Sequence, residues 1–146
     1  MIKTVVGTLA LSLVSLSAFA QMSPVGLWKT IDDETKKEKS LVRIKESNGV
    51  FSGTIEKFLE PDAKLDSVCD KCTDDRKDKP VLGMTILRGL KVSEGDASVF
   101  EGGTILDPNN GKVYRSRLRP VEEGKKLEMR GYIGPFYRTQ VWLRVE

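Results

Sequence analysis

The 146-residue chain has no histidine and only two cysteines. The missing histidine removes the commonest general base, the Ser-His and Cys-His nucleophile pairs, and the commonest metal ligand. Two cysteines supply half of a tetrahedral zinc site, and carboxylates alone complete such a site poorly. Covalent haem attachment needs C-x-x-C-H, and here Thr73 follows Cys72. The chain also lacks a charge excess, with 24 basic against 21 acidic residues. A nucleic-acid binder concentrates lysine and arginine, so no nucleic-acid partner is expected. Asp32, Asp33, Glu34, Asp74 and Asp75 read as solvated turn charge, with no spacing that marks a general acid and base. No metal, no cofactor and no enzymatic activity are expected.

What is present begins with an export signal. Lys3 precedes an uncharged run from Thr4 to Ala20 that ends Ala18-Phe19-Ala20, the small-x-small pattern a signal peptidase cleaves. The run carries Gly7, Thr4, Thr8 and serines and has no basic stop beyond it, which argues against a retained anchor. Residues 1–20 are therefore expected to be removed before Gln21, leaving one domain, residues 21–146, in the periplasm or secreted. The loss of Lys3 leaves 23 basic residues against 21 acidic ones, a mixed and soluble surface.

In an oxidising compartment the stretch "SVCDKCTDD", residues 67–75, changes meaning. A reactive C-x-x-C places its first cysteine at a helix N-terminus, where the dipole lowers the thiol pKa. Here Asp and Lys dominate the flanks, no apolar period marks a helix, and Asp70, Asp74 and Asp75 oppose a thiolate. Cys69 and Cys72 are expected to form a structural disulfide within a loop near residues 60–79.

The rest of the chain is a series of short alternating segments: 25–31, 40–46, 50–59, 81–92, 98–107, 112–120, 125–134 and 137–146. Turn signals separate them, notably Ser47-Asn48-Gly49, Pro108-Asn109-Asn110-Gly111 and Glu122-Glu123-Gly124. Eight evenly spaced candidate strands without an amphipathic helix predict an all-β, eight-stranded antiparallel up-and-down barrel. Segment 81–92 also suits a short helix by its apolar spacing, and Gly83 and Gly89 weaken either assignment.

Parity maps part of the interior. Tyr114 and Leu118 oppose Arg115, Arg117 and Arg119, and Leu127, Met129 and Ile133 oppose Lys126, Glu128 and Arg130. The arginine stripe reads as a wet outer face, as antiparallel sheets routinely show. The last segment stays open, because Val141, Leu143 and Val145 oppose Arg138, Gln140, Trp142 and Arg144, so both faces carry bulk.

Gly26-Leu27-Trp28 in the first segment, with Arg144 near the end of the last, resembles the lipocalin and calycin arrangement. The resemblance implies that Gly26, Trp28 and Arg144 close one end of the barrel. More specifically, "SPVGLWKTIDDETKK", "CDKC", "KPVLGMTILRGLK", "GGTILDPNNGKVYRSRL", "RGYIG" and "RTQVWLRVE" together resemble a family of small exported bacterial proteins, a domain of unknown function. Val99-Phe100 departs from the tryptophan expected there. The resemblance implies a lipocalin-like barrel and a periplasmic or secreted location, and no catalytic residues.

Two functions fit a chain of this kind. One is a carrier or sensor of a small, largely apolar ligand, held in the barrel by Trp28, Phe51, Ile55, Tyr114, Leu118, Leu127 and Met129, with the disulfide loop near the entrance. The other is a module for an envelope protein partner, with a filled core and exposed loops. The volume of the barrel interior discriminates between them.

Overall fold

The computed structural model describes residues 22–146. The expected export signal, residues 1–20, lies outside them. Eight strands form: β1 (Gly26–Ile31), β2 (Glu38–Ser47), β3 (Val50–Phe58), β4 (Thr85–Val92), β5 (Phe100–Asp107), β6 (Lys112–Val121), β7 (Lys126–Ile133) and β8 (Phe136–Arg144). Each pairs antiparallel with the next, and β1 closes against β8 through Trp28 opposite Arg144 and Lys29 opposite Leu143. The result is a closed, up-and-down, lipocalin-like barrel. Closure leaves no unpaired sheet edge, and the chain end extends the seam, with the Leu27 amide donating to the Glu146 carbonyl at 2.8 Å.

Local chemistry explains the order. Asn48 and Gly49 both take positive φ, 51° and 79°, the pair of values a tight hairpin with the strand twist requires. Residues 81–92 are not helical: Val81 to Met84 run in as an irregular lead with Gly83 at φ 86°, and β4 begins at Thr85. Positive φ at Gly83 and again at Gly89, 71°, is incompatible with a right-handed helix, and the apolar spacing instead buries Ile86, Leu87 and Leu90 in a kinked strand.

The open question about the last strand resolves on β8. Trp142 is fully buried, while Val141 and Leu143 face outward. Arg138, Gln140, Trp142 and Arg144 therefore form the inward face. The core is a single cluster that includes Trp28, Val42, Ile44, Leu87, Leu90, Leu118, Leu127 and Trp142. At the departure noted in sequence, Phe100 packs edge-on against Phe51, ring centroids 4.8 Å apart.

Candidate functional site

The two ends of the barrel differ. At the end where β1 starts, Trp28 is fully buried and its indole N–H donates to the Pro24 carbonyl at 2.7 Å. The Arg144 guanidinium lies over the ring, 4.3 Å from its centre. Its N–H groups donate to the carbonyls of Gly124, Val25 and Ser23 at 2.5, 2.8 and 2.7 Å. Burial pushes the Arg144 pKa down from its ordinary value, and the cation–π contact and carbonyl oxygens offset part of that cost. Gly26 has to be glycine, because a Cβ there would lie 2.5 Å from both Arg144 Nη1 and the Glu146 carbonyl oxygen. This end is sealed.

The opposite end is open. A cavity of about 310 Å³ enters between the β1–β2, β5–β6 and β7–β8 connections. Its deeper wall is apolar, made by Ile55, Ile86, Ile105, Leu106, Met129 and Trp142, with Phe58, Val81 and Tyr114 nearer the side. The mouth is polar: Asp32, Asp33, Lys39, Glu60, Asp107 and Arg138. Most of these charges already hold one another. Arg138 contacts Asp33 at 2.8 Å and Glu34 at 3.0 Å, and Lys39 pairs with Glu60. Accordingly the hydrogen bond that Lys39 donates to Glu60 raises the Lys39 pKa, and the one that Arg138 donates to Asp33 raises that of Arg138. The backbone N–H of Thr35 holds the Asp32 carboxyl below its usual range.

A chain of hydrogen bonds runs down one wall. The indole N–H of Trp142 donates to Gln140 Oε1 at 2.9 Å, and the Gln140 amide donates to Asp33 at 3.4 Å. Across the cavity Thr30 and Ser40 share a hydroxyl hydrogen bond of 2.8 Å. Deeper, Ser116 Oγ is buried and has no hydrogen-bond partner among the described residues, an unusual state for an interior hydroxyl.

The residues expected to form one lining divide into two groups. Ile55, Tyr114 and Met129 line the cavity. Trp28, Leu118 and Leu127 are fully buried at the sealed end, and Phe51 packs beside them against Phe100; their bulk fills the barrel there instead of facing the cavity. Sequence reasoning missed Trp142, Gln140 and Arg138, whose strand had bulk on both faces, and Thr30, Ser40 and Gly131, whose small size left no apolar signal.

Cys69 and Cys72 are joined as a disulfide and both are buried. The ring sits on the β5–β6 turn: Cys69 Sγ is 3.6 Å from the Pro108 carbonyl oxygen, and a Cβ on Gly111 would come within 2.0 Å of the Lys71 carbonyl oxygen. Since Pro108, Asn109 and Asn110 line the mouth, the disulfide ring braces the rim from outside. The acidic residues beside it are not free turn charge. Asp74 chelates the buried Arg76, whose own N–H donates to the Thr85 carbonyl at 3.0 Å, and Asp75 pairs with Arg88 at 2.9 Å. Arg76 holds the Asp74 pKa down to about 2. Among the described residues no cluster of carboxylates and cysteines is arranged to hold a metal ion.

A barrel sealed at one end and hollow at the other has the architecture of the lipocalin class. The chain belongs to the family described as an uncharacterized protein conserved in bacteria (DUF2147), which matches residues 26–144. Among solved structures it is similar to protein HP1028 from the human pathogen Helicobacter pylori, described as belonging to the lipocalin family. The two share 22% identity at a TM-score of 0.70, over 85% of this chain and 84% of that one. No curated protein matches the chain.

Proposed function

We propose that this protein is an exported, non-catalytic carrier or sensor of a small, largely apolar molecule. The observation that carries this is the cavity of about 310 Å³, within the range of about 300–1,000 Å³ typical of small-molecule sites. A partner-binding module with a solid core would have no such volume. The lining favours an amphiphile with its apolar body on Ile105, Met129 and Trp142 and its polar end at the charged mouth. Thr30 and Ser40 place hydroxyl groups, bonded to each other, on the cavity wall. Export to the periplasm or beyond is supported by the residue pattern of 1–20 and by a disulfide that an oxidising compartment preserves.

The test is titration with a fluorescent fatty acid, read by its own emission and by quenching of tryptophan. Trp142 lines the cavity and Trp28 does not. Saturable one-to-one binding, with quenching lost in Trp142→Phe and kept in Trp28→Phe, is the expected result. Failure of several probes of different head group to saturate, or quenching that follows Trp28, would overturn the assignment.

A further inference from the structure

The outer wall beside the mouth carries an arrangement that ligand carriage does not use. On β6, Arg115, Arg117 and Arg119 occupy alternate positions, and Arg130 on β7 stands directly opposite Arg117. Like charges paired across strands are destabilising unless a counter-charge intervenes. Arg119 has one in Asp96, at 3.1 Å. Among the described residues no carboxylate lies within ion-pair distance of Arg115, Arg117 or Arg130. The other arginines contrast with these: Arg43, Arg76, Arg88 and Arg138 each hold a carboxylate, and Arg144 holds backbone carbonyls. Nε of both Arg117 and Arg119 is buried and unpartnered. Arg117, Arg119 and Arg130 line a shallow depression on this face together with Glu128 and Thr139.

Toward the mouth the chemistry changes in order. One level up lie Tyr132 and Tyr137, each stacked by an arginine: Arg115 is 5.3 Å from the centre of the Tyr132 ring and Arg130 is 4.0 Å from that of Tyr137. The local positive field is visible on Tyr132. Burial opposes its ionisation, yet Arg130 and Arg117 beside the hydroxyl hold its pKa below the ordinary value. Beyond the tyrosines the β7–β8 hairpin projects with Ile133 54% and Phe136 74% exposed. Ile133 also lines the cavity.

We propose that the outer wall of β6–β8 is a docking face for an anionic lipid membrane. Lipid phosphates would pair with Arg115, Arg117 and Arg130, Tyr132 and Tyr137 would sit at the interface, and Ile133 and Phe136 would enter the acyl boundary. Arginine gives planar, bidentate phosphate contacts, and aromatic residues between a basic and an apolar zone match the layering of a membrane surface. A soluble polyanion would explain the arginines but not the exposed Ile133 and Phe136, which pair with each other at the hairpin tip on the mouth side of the same strands. The neighbouring carboxylates of Asp33 and Glu34, which would oppose this approach, are taken up by Arg138. The arginines and tyrosines of this face lie outside the cavity lining, and Ile133 alone is shared with the cavity.

Sedimentation of ligand-free protein with vesicles tests this. Vesicles of phosphatidylglycerol mixed with phosphatidylcholine should bind the protein, and added salt should weaken the binding. Pure phosphatidylcholine should bind it far less. Each arginine lost from an anionic surface costs about fivefold in affinity, so Arg117→Gln with Arg130→Gln should weaken binding about 25-fold. Lys45→Gln with Lys57→Gln, an equal charge change on β2 and β3, should weaken it far less. Phe136→Ser, at an exposed site that folding does not need, should weaken binding without altering the salt dependence, and keeps the test open if the arginine variant unfolds. Equal binding to both vesicle types, or a folded arginine variant that binds as before, would overturn the proposal. So would heparin binding as tight as vesicle binding with no effect of Phe136→Ser.

Discussion

Gly131→Leu separates a hollow barrel from a solid one by the sign of its effect. Gly131 lies on the inward face of β7 and lines the cavity. A Cβ added there meets only Ile105 Cγ2 and Tyr114 Cβ, both at 3.9 Å, which is ordinary contact. The leucine side chain would then extend into the roughly 310 Å³ of open space. Full burial of a leucine contributes about 1.5–3 kcal/mol, and replacing glycine where its backbone is ordinary adds about 0.4–1 kcal/mol through the unfolded chain. Because the cavity opens to solvent, a net stabilisation of about 1–2 kcal/mol is expected. Affinity for the fluorescent fatty acid should fall at least about tenfold, which corresponds to about 1.4 kcal/mol. Gly53→Ala is the counterpart at the filled end. Its Cβ would lie 2.8 Å from Leu87 Cδ1 and 3.2 Å from Val42 Cγ1, so overpacking should cost about 1–3 kcal/mol and leave probe binding intact. Urea unfolding and probe titration on both variants decide the matter. If Gly131→Leu destabilises by more than about 1 kcal/mol and leaves probe binding unchanged, the interior is packed in solution and the carrier assignment fails.

Other outcomes follow from the seal, the loop and its charges. Trp28→Ala should lower stability by about 3–5 kcal/mol as a core truncation, measured by urea unfolding; a loss below about 1 kcal/mol would show that the plug is dispensable. Cys69→Ser with Cys72→Ser should leave the barrel folded and cost about 2 kcal/mol for so short a ring, with hydrogen exchange rising in residues 60–80 and at Pro108–Gly111; unfolding of the whole barrel would contradict this. Asp74 is depressed from 3.8 to about 2 by Arg76, so its stabilising effect is present above pH 3.8 and is lost as pH falls toward 2. The difference in urea midpoint between wild type and Asp74→Asn should therefore be full at neutral pH and shrink across that acid window, and a difference that stays constant would show that the ion pair is not its source.

Much of the architecture was legible because strand chemistry is local. Asn48-Gly49 announces a hairpin by backbone preference alone, and alternation along β6 and β7 assigns their faces without knowledge of neighbours. What was not legible depended on which residues meet across the barrel. In β8 both faces have bulk, and Trp142 goes inward because the floor of the cavity accepts a large ring while the outer face at Val141 and Leu143 tolerates exposure. Likewise Asp75 looks like solvated charge until Arg88 arrives from β4, and Asp33 until Arg138 arrives from β8.

The hollow itself follows from a gradient in side-chain size along the strands. Reading from the sealed end toward the mouth, the inward residues run Trp28 to Thr30 on β1, Ile44 through Val42 to Ser40 on β2, Leu118 to Ser116 on β6, and Leu127 through Met129 to Gly131 on β7, with Tyr114 and Ile133 restoring bulk only at the rim. An eight-stranded barrel has an interior just wide enough for large side chains to fill, so large residues at one end close it and small ones at the other leave it open. The same shrinkage replaces carbon with hydroxyls and glycine, so the rim becomes polar as it becomes empty. Neighbouring strands run antiparallel, which is why the gradient descends along β1 and β7 but ascends along β2 and β6. A linear scan averages these opposite slopes away. They become visible only when the strands are laid side by side in their pairing register, and there they place the opening at the end where Gly131, Ser40 and Thr30 lie.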